Sequence, residues 1–520
     1  MVQRGVVAAG HPVTAEVGAE LLRAGGNAVD AAVAAVLASF VAEPLLTGLG
    51  AGGYLLVAPP GQEPTLLDFF VTAPGLSADP ANRAPLVPVE VSFGDAVQAF
   101  HVGAASVGTF GAPAGIVAAV DRFGTAPLRE LAAPAVRLAR RGVRVNGQQA
   151  YLFSILAGIL TSSPEARAHY LVDDRLPCEG DLLRAPELAD SLVRLATDGA
   201  APFYGGDIGR AVTAWITDRG GLLTPEDLSG YEVVPREPVR VRYRDRDVYT
   251  NPPPSAGGVL LGYALAALGR TPGPPDPAEL LAAMAAAQAE RTPAFLDDLA
   301  EPGFLDGYAA SRLGSTTHIS VLDADGGACA VTCTNGEGSG VVVPGTGMHL
   351  NNMMGESDLS PAGFFSHPPG RRLPSMMAPT VVLRTGVTEL ALGSAGSNRI
   401  RSALLQVIIN AVDRGMTAQP AVDAPRMHLE DDTLYAEPGI DLTGLDRAAP
   451  LTGPGLAGPG LSVVRFRERN LFFGGCQAVE RQRDTGRLSG GGDPRRGGAV
   501  VLLADPAATR WRPDDRATET

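Results

Sequence analysis

Cysteine is scarce in this chain: four residues in 520, Cys178, Cys329, Cys333 and Cys476, scattered along its length. That excludes a disulfide framework. Cys329 and Cys333 sit four apart on a predicted strand, about 13 Å at strand rise and too far to bridge, so buried free thiols are expected. Positive charge is also short, with 42 Lys and Arg against 56 Asp and Glu and a formal net charge of −14. An extended grip on nucleic acid or anionic lipid needs clustered cations and is therefore excluded. The seven histidines are dispersed, with no His-x3-His or Cys-x2-Cys spacing, and no metal site is predicted. No run of about 18 uncharged apolar residues suggests a membrane span, and Met1 to Pro12 contains no signal-peptide core. A cytoplasmic protein acting on a small molecule is the expectation. The absence of any repeat with a period of about 20 to 50 residues argues against a solenoid.

What is present suffices for a large core: 45% of residues are hydrophobic and 19% charged, over a length that suggests more than one domain's worth of packing. Thr14 is expected to cap a first helix that stops at Gly25-Gly26, and Asn27 a second, Ala-rich and buried, ending before Pro44. Tyr54 to Val57 and Leu66 to Phe70 read as a hairpin after the Gly-rich turn at Gly48 to Gly53. From about Ala112 to Ala300 the pattern is mostly helical, as at Leu128 to Arg141 and Leu280 to Glu290. A short strand pair at Arg240 to Tyr243 and Val248-Tyr249 interrupts it. Strands return at Thr317 to Leu322, Ala328 to Thr334, Thr380 to Arg384 and Glu389 to Leu392, and a helix is predicted over Ile400 to Val412. Residues 446 to 460 and 485 to 498 read as surface loops, and the tail after Pro506 is expected to fray. The β-rich ends could share one sandwich, with the helical middle outside it.

One segment carries chemistry: Ser315-Thr316-Thr317-His318-Ile319-Ser320, where small residues run into a strand. A threonine hydroxyl is a poor nucleophile near neutral pH. If the chain is cut before Thr316, that residue gains an α-amino group, with a reference pKa of about 7.7 to 8.0, able to take the hydroxyl's proton. Taken alone, Ser-Thr-Thr fits the start of a strand at least as well. His318 points to the same strand face as Thr316 and reads as a core histidine.

The surrounding motifs decide between these readings. Ala24-Gly25-Gly26-Asn27-Ala28-Val29-Asp30, Glu43-Pro44, Gly50 to Gly53, Phe123-Gly124-Thr125-Ala126-Pro127 and Pro252-Pro253-Pro254-Ser255-Ala256-Gly257-Gly258 precede Thr316-Thr317-His318-Ile319-Ser320. Gly393-Ser394-Ala395-Gly396-Ser397, Ala424-Pro425-Arg426 and Asp493-Pro494-Arg495 follow it. In this order they resemble the γ-glutamyltranspeptidase family of N-terminal-nucleophile (Ntn) hydrolases over nearly the whole chain. The resemblance implies an α+β fold, a four-layer αββα sandwich built by two subunits from one self-cleaved precursor. The subunits would be 1–315 and 316–520, cut between Ser315 and Thr316. It implies Thr316 as nucleophile, Thr334 as its hydrogen-bonding partner, and the backbone N–H groups of Gly396 and Ser397 as oxyanion donors. It implies no cofactor and no metal, association of the two subunits after cleavage, and the option of further dimerisation.

The substrate-binding positions depart from that pattern. Asp68-Phe69-Phe70-Val71-Thr72-Ala73-Pro74 has Phe70 where the family holds its carboxylate-binding arginine. In Asn351-Asn352-Met353-Met354-Gly355-Glu356, Met353 replaces a Gln and Glu356 stands for an Asp. The family's Ser-Ser pair is Ser375-Met376. Losing a charge-assisted contact costs roughly 1.5 to 3 kcal/mol, and burying an unpaired carboxylate against Phe and Met costs more. Another arginine, Arg372 or Arg399, could substitute, and Asn335 and Glu337 could supply new contacts or be exposed loop residues. The implied function is a self-processing threonine hydrolase acting on a non-glutamyl small molecule, with antibiotic biosynthesis and carbon–carbon bond hydrolysis among the options. A genuine γ-glutamyl enzyme with a rearranged clamp and an uncut binding protein are the alternatives.

Overall fold

The computed structural model describes residues 3–92, 97–290, 316–360, 363–443, 445 and 461–504. Two antiparallel sheets stack face to face. Their strands are β1 (Gln3–Ala9), β2 (Gly52–Ala58), β3 (Thr65–Phe69), β4 (Val234–Arg236), β5 (Val239–Tyr243), β6 (Arg246–Thr250), β7 (Thr317–Asp323), β8 (Ala328–Thr334), β9 (Thr380–Arg384), β10 (Val387–Ala395), β11 (Gly475–Arg481), β12 (Leu488–Gly491) and β13 (Ala499–Ala504). The first sheet runs β13-β1-β7-β8-β2-β3-β4 and the second β12-β11-β10-β9-β6-β5. Strands from both β-rich parts of the chain, β2 and β3 with β7 and β8, thus share one sheet, as the strand patterns predict, and β1 and β13, which were not predicted, extend it.

Both faces of the central strands are apolar, so each sheet needs cover on both sides. On β7, Ile319 and Val321 face a helical layer containing α1 (Pro12–Arg23) and α2 (Ala28–Ala42), while Leu322 faces the second sheet. The outer side of the second sheet is covered by α3 (Ala256–Leu268) and α4 (Arg399–Val412). Four layers, αββα, result, as the resemblance implies. All fifteen residues of α2 are buried, in keeping with its lack of a polar face.

Several family motifs are structural joints. Asn27 caps α2 with Asp30 in a reciprocal capping box, and Asp30 also accepts the Thr125 amide at 2.9 Å while Asn27 Nδ2 donates to Phe123 O at 2.7 Å. The Ala24–Asp30 and Phe123–Pro127 motifs are two halves of one junction. Asp493 pairs with Arg426 (2.7 Å) and Arg495 (3.2 Å), joining the Ala424–Arg426 and Asp493–Arg495 motifs.

Some expectations require correction. The first helix is capped by His11, whose Nδ1 accepts the Val13 amide at 3.1 Å, with Pro12 at its first position; Thr14 lies inside it. The segment 485–498 contains strand β12, paired with β11, because its glycines let β12 press close to Val6 and Val500. Cys178 is exposed, whereas Cys329, Cys333 and Cys476 are buried. Residues 446–460, the tail after Pro506 and Ser315 lie outside the described residues.

Candidate active site

The sheet register gathers the chemistry on one transverse row. Thr317 pairs with Cys333, so continuing the ladder by one residue sets Thr316 across from Thr334. Thr334 pairs with Gly52, and continuing the Gly53–Phe69 pairing sets Gly52 across from Phe70. Directly opposed residues point to the same face, with Cβ atoms about 4.5–5.5 Å apart. Thr316, Thr334 and Phe70, separated by up to 264 positions in sequence, therefore face the second sheet at one end of the sandwich. All three are buried.

Thr317 points the other way, into the helical layer. Its hydroxyl donates to Glu43 Oε2 at 2.6 Å, and Thr14 donates to Glu43 Oε1 at 2.8 Å. Glu43 follows the last residue of α2, fully inside the protein, and burial pushes its carboxyl above the ordinary range against the pull of these two bonds. Sequence reading noted Glu43-Pro44 as a motif but gave Glu43 no role. His318 is a core histidine, as expected. Ser320 Oγ donates to Gln477 O at 3.2 Å and so accepts from His318 Nε2 at 2.9 Å, leaving Nδ1 to accept from Thr332 at 2.8 Å. Burial lowers its pKa to about 3, and the ring stays neutral.

The loop after β8 supplies polar groups. Thr334 Oγ1 accepts the Gly336 amide at 2.8 Å, which leaves its own proton for a second partner. Asn335 donates its side-chain amide to His349 O at 3.2 Å, while its Oδ1 is buried without a partner among the described residues. Asn352 Nδ2 and Oδ1 are likewise buried and unpartnered there. Gly336, at φ +65°, allows Asn352 and Glu356 to close in, because a Cβ there would collide with both carbonyl-type oxygens. Asn335 and Glu337 are buried rather than exposed. Asn351 is structural, bonding Gly50 O at 2.9 Å and Gly108 O at 3.0 Å.

The remaining wall is apolar. Phe70 stacks on Tyr54 with ring centroids 5.5 Å apart, in the same hydrophobic cluster as Met353 and Met376. Ser375 Oγ accepts the Met377 amide at 3.1 Å, and Ser255 grips this segment through the carbonyls of Ser375 and Met377, both at 2.9 Å. Neither substitute arginine reaches this wall as a free cation. Arg372 is held by Asp68 at 3.3 Å, by Tyr231 at 2.8 Å and by the carbonyls of Phe70 and Glu232. Arg399 donates to Phe472 O at 2.9 Å and lies over that ring.

Above the row, β10 ends in a turn of two positive-φ residues, Gly396 at +119° and Ser397 at +60°. A serine there is strained, whereas glycine is not. The turn's hydrogen bonds run from Arg399 N and Ile400 N to the carbonyls of Gly396 and Ser397, so the turn does not use the two N–H groups. His318 sits where a Cβ on Gly393 would fall, which brings the end of β10 over the start of β7.

The gamma-glutamyltranspeptidase family model matches residues 14–302 and 278–503. The chain belongs to that family. It is 33% identical over 537 aligned positions to the acylase ACY 1 proenzyme of Pseudomonas sp. (strain SE83), covering 96% of this chain and 94% of that protein. Against the glutathione hydrolase proenzyme of Escherichia coli (strain K12) it is 32% identical, covering 84% and 83%. Its fold matches the crystal structure of cephalosporin acylase from Bacillus halodurans with a TM-score of 0.80, at 26% identity and 96% coverage of both chains. The chain is thus an Ntn-class hydrolase of the γ-glutamyltranspeptidase family, and both of these sequence relatives are named as proenzymes. Among the described residues, no helix is long and apolar enough to cross a membrane and no group of His, Cys, Asp and Glu could hold a metal ion.

Proposed function

We propose that the chain cuts itself between Ser315 and Thr316 and then hydrolyses a small molecule whose acyl part lacks the glutamyl α-carboxylate. The free amino group of Thr316 takes the proton from its own Oγ1, which attacks the scissile carbonyl. Thr334 orients that oxygen. The N–H groups of Gly396 and Ser397 receive the oxyanion, a contact of the kind worth about 2.7–4 kcal/mol in the transition state. Collapse expels the leaving group, which takes the proton from the amino group. Water then attacks the acyl-enzyme by the same route and returns the hydroxyl.

Phe70 carries the substrate assignment: stacked on Tyr54 in the row of Thr316, it fills the place of a carboxylate clamp. Asn335, Asn352 and Glu356 remain to hold neutral or cationic polar atoms of the acyl part, beside Met353, Ser375 and Met376. The acylase names among its relatives accord with an acyl group other than glutamyl. Such a pocket suits secondary metabolism, including antibiotic building blocks. There the same attack would cleave a carbon–carbon bond beside a carbonyl, with the departing carbon taking the proton in place of nitrogen.

The test compares γ-glutamyl-4-nitroanilide with 4-aminobutyryl-4-nitroanilide, which differ by one carboxylate. An unpaired carboxylate in this pocket predicts kcat/KM lower by about tenfold to a hundredfold for the glutamyl compound, the equivalent of about 1.5–3 kcal/mol. Preference for the glutamyl compound would favour the alternative, a γ-glutamyl enzyme with a rearranged clamp.

A further inference from the structure

The turn that ends β10 carries a hydroxyl that the mechanism above does not use. Backbone packing dictates the first residue of the turn: a Cβ on Gly396 would stand 2.6 Å from Gly474 Cα, and one on Gly474 would stand 2.6 Å from Ala395 O. Glycine is required at both places, and the contact pins the turn. Ser397 follows at φ +60°, where a side chain is disfavoured and its presence calls for compensation. Hydrogen bonding in the resting protein does not supply it. The residue is 2% exposed, and its Oγ is buried without a partner among the described residues. The donors around it are directed elsewhere. Ser394 Oγ donates to Ala395 O at 2.9 Å, Asn398 Nδ2 donates to Glu430, and Arg399 Nε donates to Phe472 O at 2.9 Å.

A buried hydroxyl left unpaired is costly unless a group that arrives later supplies its partner. Covalent geometry limits which group that is. In two of the three staggered rotamers a serine Oγ lies about 3 Å from its own backbone N. An acceptor about 2.9 Å from that N is therefore within reach of the O–H as well. In the reaction proposed above, the acceptor at the Ser397 N–H is the oxyanion. We propose that Ser397 is a catalytic residue through its side chain as well as its backbone, its hydroxyl giving the oxyanion a hydrogen bond beside those from the N–H groups of Gly396 and Ser397. The hydroxyl keeps its proton throughout. It turns towards the carbonyl oxygen as charge develops there and is released when the tetrahedral intermediate collapses, once in acylation and again in deacylation. The resting protein bears the unpaired hydroxyl and the transition state pairs it, which lowers the barrier between them. The inference rests on the acyl-transfer reading but not on which acyl group is preferred.

Two variants separate the hydroxyl from the backbone. Ser397→Ala removes the hydroxyl and keeps a β-carbon at positive φ, whereas Ser397→Gly removes the hydroxyl and the strain together. With whichever anilide above the wild type turns over, both variants should lose about tenfold to a hundredfold. The loss should fall equally on kcat and kcat/KM, as for an interaction made only in the transition state. S397G should melt no lower than wild type by scanning fluorimetry, so its loss is not one of folding. A purely structural serine predicts S397G with wild-type kcat; that result, or a loss confined to KM, would overturn the assignment. Calorimetry with butylboronic acid, whose adduct with a threonine Oγ is a tetrahedral anion, reads the contact without turnover. Wild type should bind it about tenfold to a hundredfold more tightly than either variant. Equal affinities would overturn the side-chain role and leave Thr316 as nucleophile. If the wild type neither forms this adduct on Thr316 nor turns over either anilide, the acyl-transfer reading itself fails, and the role of the hydroxyl fails with it.

Discussion

Thr316 and Thr317 are adjacent, yet strand alternation gives them opposite faces and different tasks. Thr316 faces the site, while Thr317 locks β7 to the end of α2 through Glu43. Glu43 has its carboxyl pushed up by burial. A group raised in the folded state gives its full stability below the unfolded value, about 4.3, and loses it as pH rises through the folded value. Glu43→Gln keeps the shape without titrating. Its apparent Tm relative to wild type should therefore rise between about pH 5 and about pH 8, read by scanning fluorimetry; a flat or falling difference would contradict this. Thr316 could be proposed as nucleophile because the ordered motifs around it outweigh the plain strand reading of Ser-Thr-Thr. The part played by Glu43 was not legible, since burial is a property of the packed chain, and an acid after a helix looks solvated in sequence.

Elements were legible where their own side chains set the period. β7 and β8 run one residue or less from their predicted bounds, and α2 keeps its Asn27 cap. Prediction failed where neighbours supply the structure. β12 has glycine at two of its four positions and exists because β11 offers a ladder. The end of β10 is another case of contact across layers: Gly393 makes room for the His318 ring. Gly393→Ala should cost about 1–3 kcal/mol through overpacking and should also displace the Gly396-Ser397 turn. Denaturant unfolding of the uncut Thr316→Ala precursor, with and without the change, measures the first effect. An unchanged midpoint would show that the ring can move aside.

At the scale of the molecule, a cut before Thr316 does not divide the fold. β7 and β8 follow that bond, but they lie between β1 and β2, which precede it, and the second sheet likewise joins β5 and β6 to β9 through β12. The two subunits should co-elute as one particle after maturation and part only in denaturant; separation in native buffer would contradict this topology. The sandwich itself was readable from strands at both ends of the sequence, whereas the register that sets Phe70 in line with Thr316 required the folded sheet. Trapping the covalent intermediate tests the central claim most directly, by incubating the matured protein with 4-aminobutyryl-4-nitroanilide, quenching in acid and sequencing the fragments by mass spectrometry. The predicted result is a small subunit beginning Thr316-Thr317-His318 that carries the acyl group on Thr316, with Thr316→Ala remaining a single 53.5 kDa chain. An uncut wild-type chain, a different new N-terminus, or an acyl group on any other residue would contradict it.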